Sequence, residues 1–246
     1  MSTVAIIFSL LSFFVPIIVI GIVIYIIVIM TKNKDGNTKF KLSPKTLLQI
    51  YLFVISFLTL GIAVIGGVIA IKASTSYLLD IPFSYTLQKA NDYQDTSNVY
   101  DPRYPEYQAK EIQQECYQGD PITFYDTKFC FDSDQRKTDL INGFTLFFSM
   151  VILFALHQYA ISKIPEENII TWLKKIYIFA CLILYSIVGI VAIPTAIYQL
   201  TNYMLFEIKE NIYKTPDAPA LALATVLLVV PLWIIFLKET TKLKED

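Results

Sequence analysis

Residues 47–79 read LLQIYLFVISFLTLGIAVIGGVIAIKASTSYLL, and residues 173–205 read LKKIYIFACLILYSIVGIVAIPTAIYQLTNYML. Set together without gaps at an offset of 126 (47 to 173), they are identical at ten of 33 positions. These are Leu47/Leu173, Ile50/Ile176, Tyr51/Tyr177, Phe53/Phe179, Leu58/Leu184, Ala70/Ala196, Ile71/Ile197, Thr75/Thr201, Tyr77/Tyr203 and Leu79/Leu205. Two apolar segments of this composition share roughly three by chance. Thr75, Tyr77 and Leu79 lie past the apolar core, where hydrophobic composition alone produces no agreement. Each stretch also holds an apolar run long enough to cross a bilayer, which takes roughly 20 residues at 1.5 Å rise each.

Working outward, the chain has five such runs: 4–30, 46–71, 140–161, 171–200 and 218–237. Of its 246 residues, 55% are apolar, and mean hydropathy is +0.53. That is high for a soluble domain and ordinary for a polytopic membrane protein. Net charge is −1, so no overall field favours nucleic acid, and none is expected as a partner. Of the 20 basic residues only Arg103 and Arg136 are arginine, so guanidinium forks for phosphate or carboxylate are sparse. The Lys and Ile bias fits an AT-rich bacterial genome. A secretory signal has a basic n-region and a shorter apolar core. Met1-Ser2-Thr3 followed by run 4–30 has neither, so a retained helix is expected there.

Lys and Arg concentrate in short cytoplasmic loops. The loop after the first run holds Lys32, Lys34, Lys39, Lys41 and Lys45. The loop after the third holds Lys163, Lys174 and Lys175, and the tail holds Lys238, Lys242 and Lys244. These alternate correctly if the N-terminus is outside and the C-terminus cytoplasmic. The other side then receives 72–139 and 201–217. From Asp80 to Asp139 there are 12 acids against 6 Lys plus Arg, as suits a segment in water.

Cys116 and Cys130 both fall in that outer segment, fourteen positions apart. An oxidising compartment would join them, closing a loop of ~15 residues and stabilising by roughly 3 kcal/mol in the chain-entropy model. Cys181 reads as a small apolar packing residue in the fourth run.

Each repeated helix is followed by another run, and both pairs cross in the same direction. The repeat is therefore parallel, with any pseudo-two-fold axis along the membrane normal. The expected fold is an all-α polytopic bundle of five transmembrane helices, with a parallel repeat of helix pairs and one large extracytoplasmic insertion. Its parts are an N-terminal helix and cytoplasmic loop (1–45), a first pair (46–72 and 140–163), an extracytoplasmic loop or cap (73–139) and a second pair (171–240).

Three features carry a resemblance: Ser43-Pro44-Lys45 before the second run, Trp172-Leu173-Lys174-Lys175-Ile176-Tyr177 at the fourth, and Val229-Val230-Pro231-Leu232-Trp233 in the fifth. Across residues 43–240 the pattern resembles an uncharacterised bacterial family of membrane domains, domain of unknown function 5671. The chain departs from that pattern by the long insertion in its first pair and by Met150, which stands where the fifth run has Pro231. The family has no assigned activity, so the resemblance implies architecture alone.

Ionisable residues inside a membrane are costly and mark function by default. No run has Asp or Glu in its core. The only histidine, His157, beside Gln158, lacks a carboxylate partner at depth and reads first as an interfacial or packing residue. Pro16, Pro194 and Pro231 lie inside runs, where proline kinks helices and can open a substrate site. Gly61, Gly66 and Gly67 can admit a neighbouring helix. Asp132-Ser133-Asp134 has the spacing that opens a calcium loop but not its Gly or its later Glu. No phosphate-binding glycine loop, zinc-protease helix or nucleophile elbow is present, so no enzyme, cofactor or metal is expected. Tyr85, Tyr93, Tyr100, Tyr104, Tyr107, Tyr117 and Tyr125 punctuate the insertion, as a folded cap or as a contact surface.

The expected activity is that of a non-enzymatic scaffold or accessory subunit in a bacterial cell membrane, with the lipid bilayer and other membrane or cell-envelope proteins as partners. One rival is a small-solute transporter or channel with a site between the helix pairs. Ser56, Thr59, Ser186 and Gln199, with His157, are the polar helix positions available to it. Another rival is an extracytoplasmic sensor reading ligand through residues 73–139.

Overall fold

A computed structural model of the protein describes residues 43–92, 114–116, 119–124, 127–206 and 214–243. The expected span at 4–30, with Pro16, lies outside them, as do Tyr93, Tyr100, Tyr104, Tyr107, Tyr117 and Tyr125. The chain divides into two compact units, residues 1–51 and 52–246. The described part of the first begins at Ser43, whose Oγ accepts from the Lys45 amide at 3.1 Å. With Pro44 in the first helical position, this Ser-Pro pair caps a helix start.

Among the described residues, four helices are long and apolar enough to cross a membrane: α1 (Pro44–Leu78), α2 (Ser133–Ser162), α3 (Thr171–Met204) and α4 (Ala220–Lys242). The described chain is mostly helical, as expected. The helices overrun the apolar runs that foretold them. α1 continues from Ile71 through Lys72-Ala73-Ser74-Thr75-Ser76 to Leu78. Thr75 and Ser76 hydroxyls donate back to the carbonyls of Lys72 (2.8 Å) and Ala73 (2.6 Å), so these polar residues bury their donors in the helix itself. α2 starts seven residues before its apolar run. Asp132 caps it, accepting from the Asp134 and Gln135 amides at 3.0 and 2.9 Å. Asp132-Ser133-Asp134 is thus a helix N-cap.

α1 and α2 touch backbone to backbone. A Cβ on Gly66 would stand 2.6 Å from the Phe147 nitrogen, and one on Gly143 would stand 2.5 Å from the Ala70 nitrogen. Small residues at both positions are what bring the axes together in lipid. Gly67 makes room for the Leu228 and Phe147 side chains, whereas Gly61 faces open space. On α3 and α4, Gly189 meets Val229, and the Trp233 indole donates to Ser186 Oγ at 2.9 Å. Pro194 and Pro231 lie within α3 and α4 on exposed faces.

The buried faces of α1 and α3 share a register. Leu52, Thr59, Ala63, Gly66, Ala70 and Ala73 are buried, and so are Ile178, Tyr185, Gly189, Ala192, Ala196 and Gln199, each 126 residues on (52 to 178). α1 buries a second face as well: Val68 is covered where Pro194 is exposed.

The segment between α1 and α2 holds sheet, an addition to the all-α expectation. After a helical turn at Ile81–Ser84 come β1 (Gln88–Lys89), β2 (Asn91–Asp92), β3 (Gln114–Glu115), β4 (Asp120–Phe124) and β5 (Thr127–Phe131). One antiparallel sheet has order β1-β5-β4, and β2 pairs with β3. Phe129 and Phe131 alternate with Lys128 and Cys130, so one face of β5 packs with Leu87 and Tyr85 in a small core. Gly119 turns the chain into β4 at φ 87°, and a Cβ there would strike the Phe131 carbonyl. Cys116 and Cys130 lie at disulfide-bonding distance, with Cα atoms 5.5 Å apart.

The residues leading into α4 join this cap. The Leu87 amide donates to Thr215 Oγ1 (2.8 Å), the Thr215 amide donates to the Leu87 carbonyl (2.9 Å), and the Ala218 amide donates to Thr86 Oγ1 (3.2 Å). Gln88 also bridges to Lys214, so the two outer segments predicted from charge, 72–139 and 201–217, meet at one end of the helices.

Candidate functional site

The strongest polar constellation lies where α1 leaves the apolar region and α2 enters it. Lys72 Nζ is 2.8 Å from Asp139 Oδ2, with side chains 17% and 24% exposed. Lys72 Nζ also stands 4.0 Å above the Tyr85 ring, whose hydroxyl donates to Asp139 at 3.1 Å. One carboxylate thus serves a cation and a phenol, and the cation also rests on the phenol ring. Burial, then the charge and hydrogen bond of Asp139, push the Tyr85 hydroxyl above its ordinary range. Thr75 and Ser84 hydroxyls lie 2.8 Å apart; the Thr75 proton goes to the Lys72 carbonyl, which leaves Ser84 as donor.

One turn further out, the Arg136 guanidinium lies 4.2 Å from the Tyr77 ring centroid and 5.3 Å from that of Phe131. Three carboxylates close to it along the chain have partners of their own: Asp139 in Lys72, Asp134 in Lys137 at 3.1 Å, and Asp132 in the α2 amides. Arg136 Nε is enclosed without an acceptor among the described residues.

Among the described residues, no hydrogen bond joins the positions chosen from sequence to one another. Thr59 Oγ1 donates to the carbonyls of Ile55 (2.8 Å) and Ser56 (3.2 Å), a purely intrahelical use. Ser186 donates to the Leu182 carbonyl at 2.7 Å while accepting from Trp233. His157 Nδ1 lies 2.7 Å from the Leu153 carbonyl, one turn back on its own helix. Gln158, its neighbour, donates to the Tyr177 hydroxyl at 3.2 Å. Ser56 Oγ and Gln199 Oε1 are buried with no hydrogen-bond partner among the described residues.

Between these positions the interior is apolar. Leu60 of α1, Ile178, Cys181 and Tyr185 of α3, and Val229 and Phe236 of α4 form one cluster, with Phe154 of α2 packed against it. There Phe236 stacks on Tyr185 at a centroid separation of 5.8 Å and meets Tyr177 edge to face at 6.1 Å. Compared with family models, curated proteins and solved structures, the chain has no match.

Proposed function

We propose that the chain is a non-enzymatic scaffold or accessory subunit of a bacterial cytoplasmic membrane, presenting a fixed cap outside the cell. The observation that carries this reading is the interior. Aromatic and branched side chains of α1, α3 and α4, with Phe154 of α2 against them, cluster between the described helices, where a transporter would place polar groups. Pro194 and Pro231, the breaks that line sites in transporters, lie on exposed faces. The concentrated polar chemistry instead ties the cap to the helix ends.

The finer architecture belongs to the same proposal. The chain has five spans with 4–30 as the first, the N-terminus outside, the C-terminus cytoplasmic, and residues 73–139 inserted into the first of two parallel helix pairs. Lysine alternation supports the orientation, and the shared burial register of α1 and α3 supports the repeat. The likeness to domain of unknown function 5671 points the same way.

A transporter is the second reading, favoured by the buried oxygens of Ser56 and Gln199, which have no partner among the described residues. Cys181 separates the two. It is buried within the apolar cluster, and the other two cysteines are paired. In intact vesicles, a charged, membrane-impermeant thiol reagent is expected to leave Cys181 unmodified, with full modification after denaturation in detergent. Rapid labelling of the native protein would put water on the axis and favour transport.

A further inference from the structure

We infer that Arg136, held against Tyr77 and Phe131, is a binding point for the phosphate of an anionic phospholipid at the rim of the cap. Three observations converge on it. The guanidinium is clamped by one ring at 4.2 Å and another at 5.3 Å, so its fork is oriented before any ligand arrives. Its Nε is enclosed and out of a ligand's reach, its terminal nitrogens make no hydrogen bond among the described residues, and Asp139, Asp134 and Asp132 have partners of their own. The two terminal nitrogens of a guanidinium can meet two phosphate oxygens side by side.

The third observation is depth. Ile141 and Phe144 of α2 are exposed apolar residues, and Arg136 lies five positions before Ile141 on the same helix. At 1.5 Å per residue that is about 7 Å further out. The headgroup band occupies roughly the outermost 5–8 Å on each side of a ~30 Å hydrocarbon core, so Arg136 falls where lipid phosphates lie. Tyr77 and Leu78 beside it are 51% and 81% exposed, an aromatic ring and an aliphatic chain at the boundary that an acyl chain can follow.

This inference rests on the proposal that these helices cross a membrane, and its test is separable from the orientation proposed above. The full chain is purified in detergent, and retention of phosphatidylglycerol is read by native mass spectrometry. Wild type is expected to keep one phosphatidylglycerol. Arg136→Gln is expected to weaken retention about tenfold, the scale of one charge-assisted hydrogen bond. Arg136→Lys should recover part of it, and Lys137→Gln, whose side chain is paired with Asp134, should behave as wild type. Equal retention by Arg136→Gln and wild type overturns the assignment. If Arg136→Gln does not fold, Arg136→Lys alone decides it, since retention equal to wild type would mean that the fork is not used. Displacement of the lipid by millimolar inorganic phosphate would make this a soluble-anion site and overturn the lipid as its source. Labelling of a cysteine at Gln135 from the cytoplasmic side would overturn the orientation while leaving lipid retention at Arg136 standing.

Discussion

Lys72 and Asp139 are 67 positions apart in sequence and 2.8 Å apart in space, and their ion pair joins the last turns of α1 to the first turns of α2. Both side chains are partly enclosed, so removing one leaves a charge with poor solvation. Asp139→Asn is expected to destabilise the protein by about 1–3 kcal/mol, less than for a fully buried pair because water reaches both groups. Combining it with Lys72→Met should recover much of the loss. Thermal unfolding of the two singles and the double in detergent checks this; strictly additive losses would mean that the pair is not coupled.

Tyr85 makes the same cluster sensitive to alkali. Its hydroxyl keeps its proton in the folded protein above 10.0, the ordinary phenol value, while the unfolded chain loses it there. The folded state then binds more protons, so stability falls as pH rises beyond about 10. Below that value both states are protonated and Tyr85 contributes no slope. Tyr85→Phe is expected to flatten the alkaline limb of the pH–stability curve. An unchanged limb in the variant would assign the slope to other groups.

The cap depends on its cysteines. Reducing the Cys116–Cys130 pair releases a loop of ~15 residues, a loss of roughly 3 kcal/mol to the cap in the chain-entropy model. Limited proteolysis after reduction is expected to cut between residues 79 and 132 well before the helices. Mass spectrometry without reductant should show the two cysteines joined.

Glycine substitutions along α1 should divide sharply. Gly66→Val drives a side chain into the Phe147 backbone and should cost more than 2 kcal/mol, as overpacking does when the neighbour is backbone. Gly61→Ala faces open space and should be neutral or stabilising by up to ~1 kcal/mol from helix propensity. Comparable losses at both positions would argue against the α1–α2 contact.

Sequence revealed the helices because a run of lipid-compatible residues is a physical requirement written locally. Their ends escaped it. The stretch from Lys72 to Leu78 is polar in composition, yet it stays helical because Thr75 and Ser76 satisfy themselves on the preceding turn. The charged pair was missed for a related reason. A search of the apolar runs 46–71 and 140–161 stops one residue short of Lys72 at one end and of Asp139 at the other. Only the approach of α1 to α2, set by Gly66 and Gly143, brings them together. Cys116 and Cys130 were legible because two cysteines in one segment have few alternatives. The strands were not, because β1, β2 and β3 are two residues each and their pairing is decided by distant partners.

The hydrogen bonds from Leu87 to Thr215 have a mechanical meaning. They fasten the stretch leaving α1 to the stretch entering α4, two helices that are far apart along the chain. The small core around Leu87 is therefore anchored to two helices at once, so freeing it means breaking both the link to α1 and the link to α4.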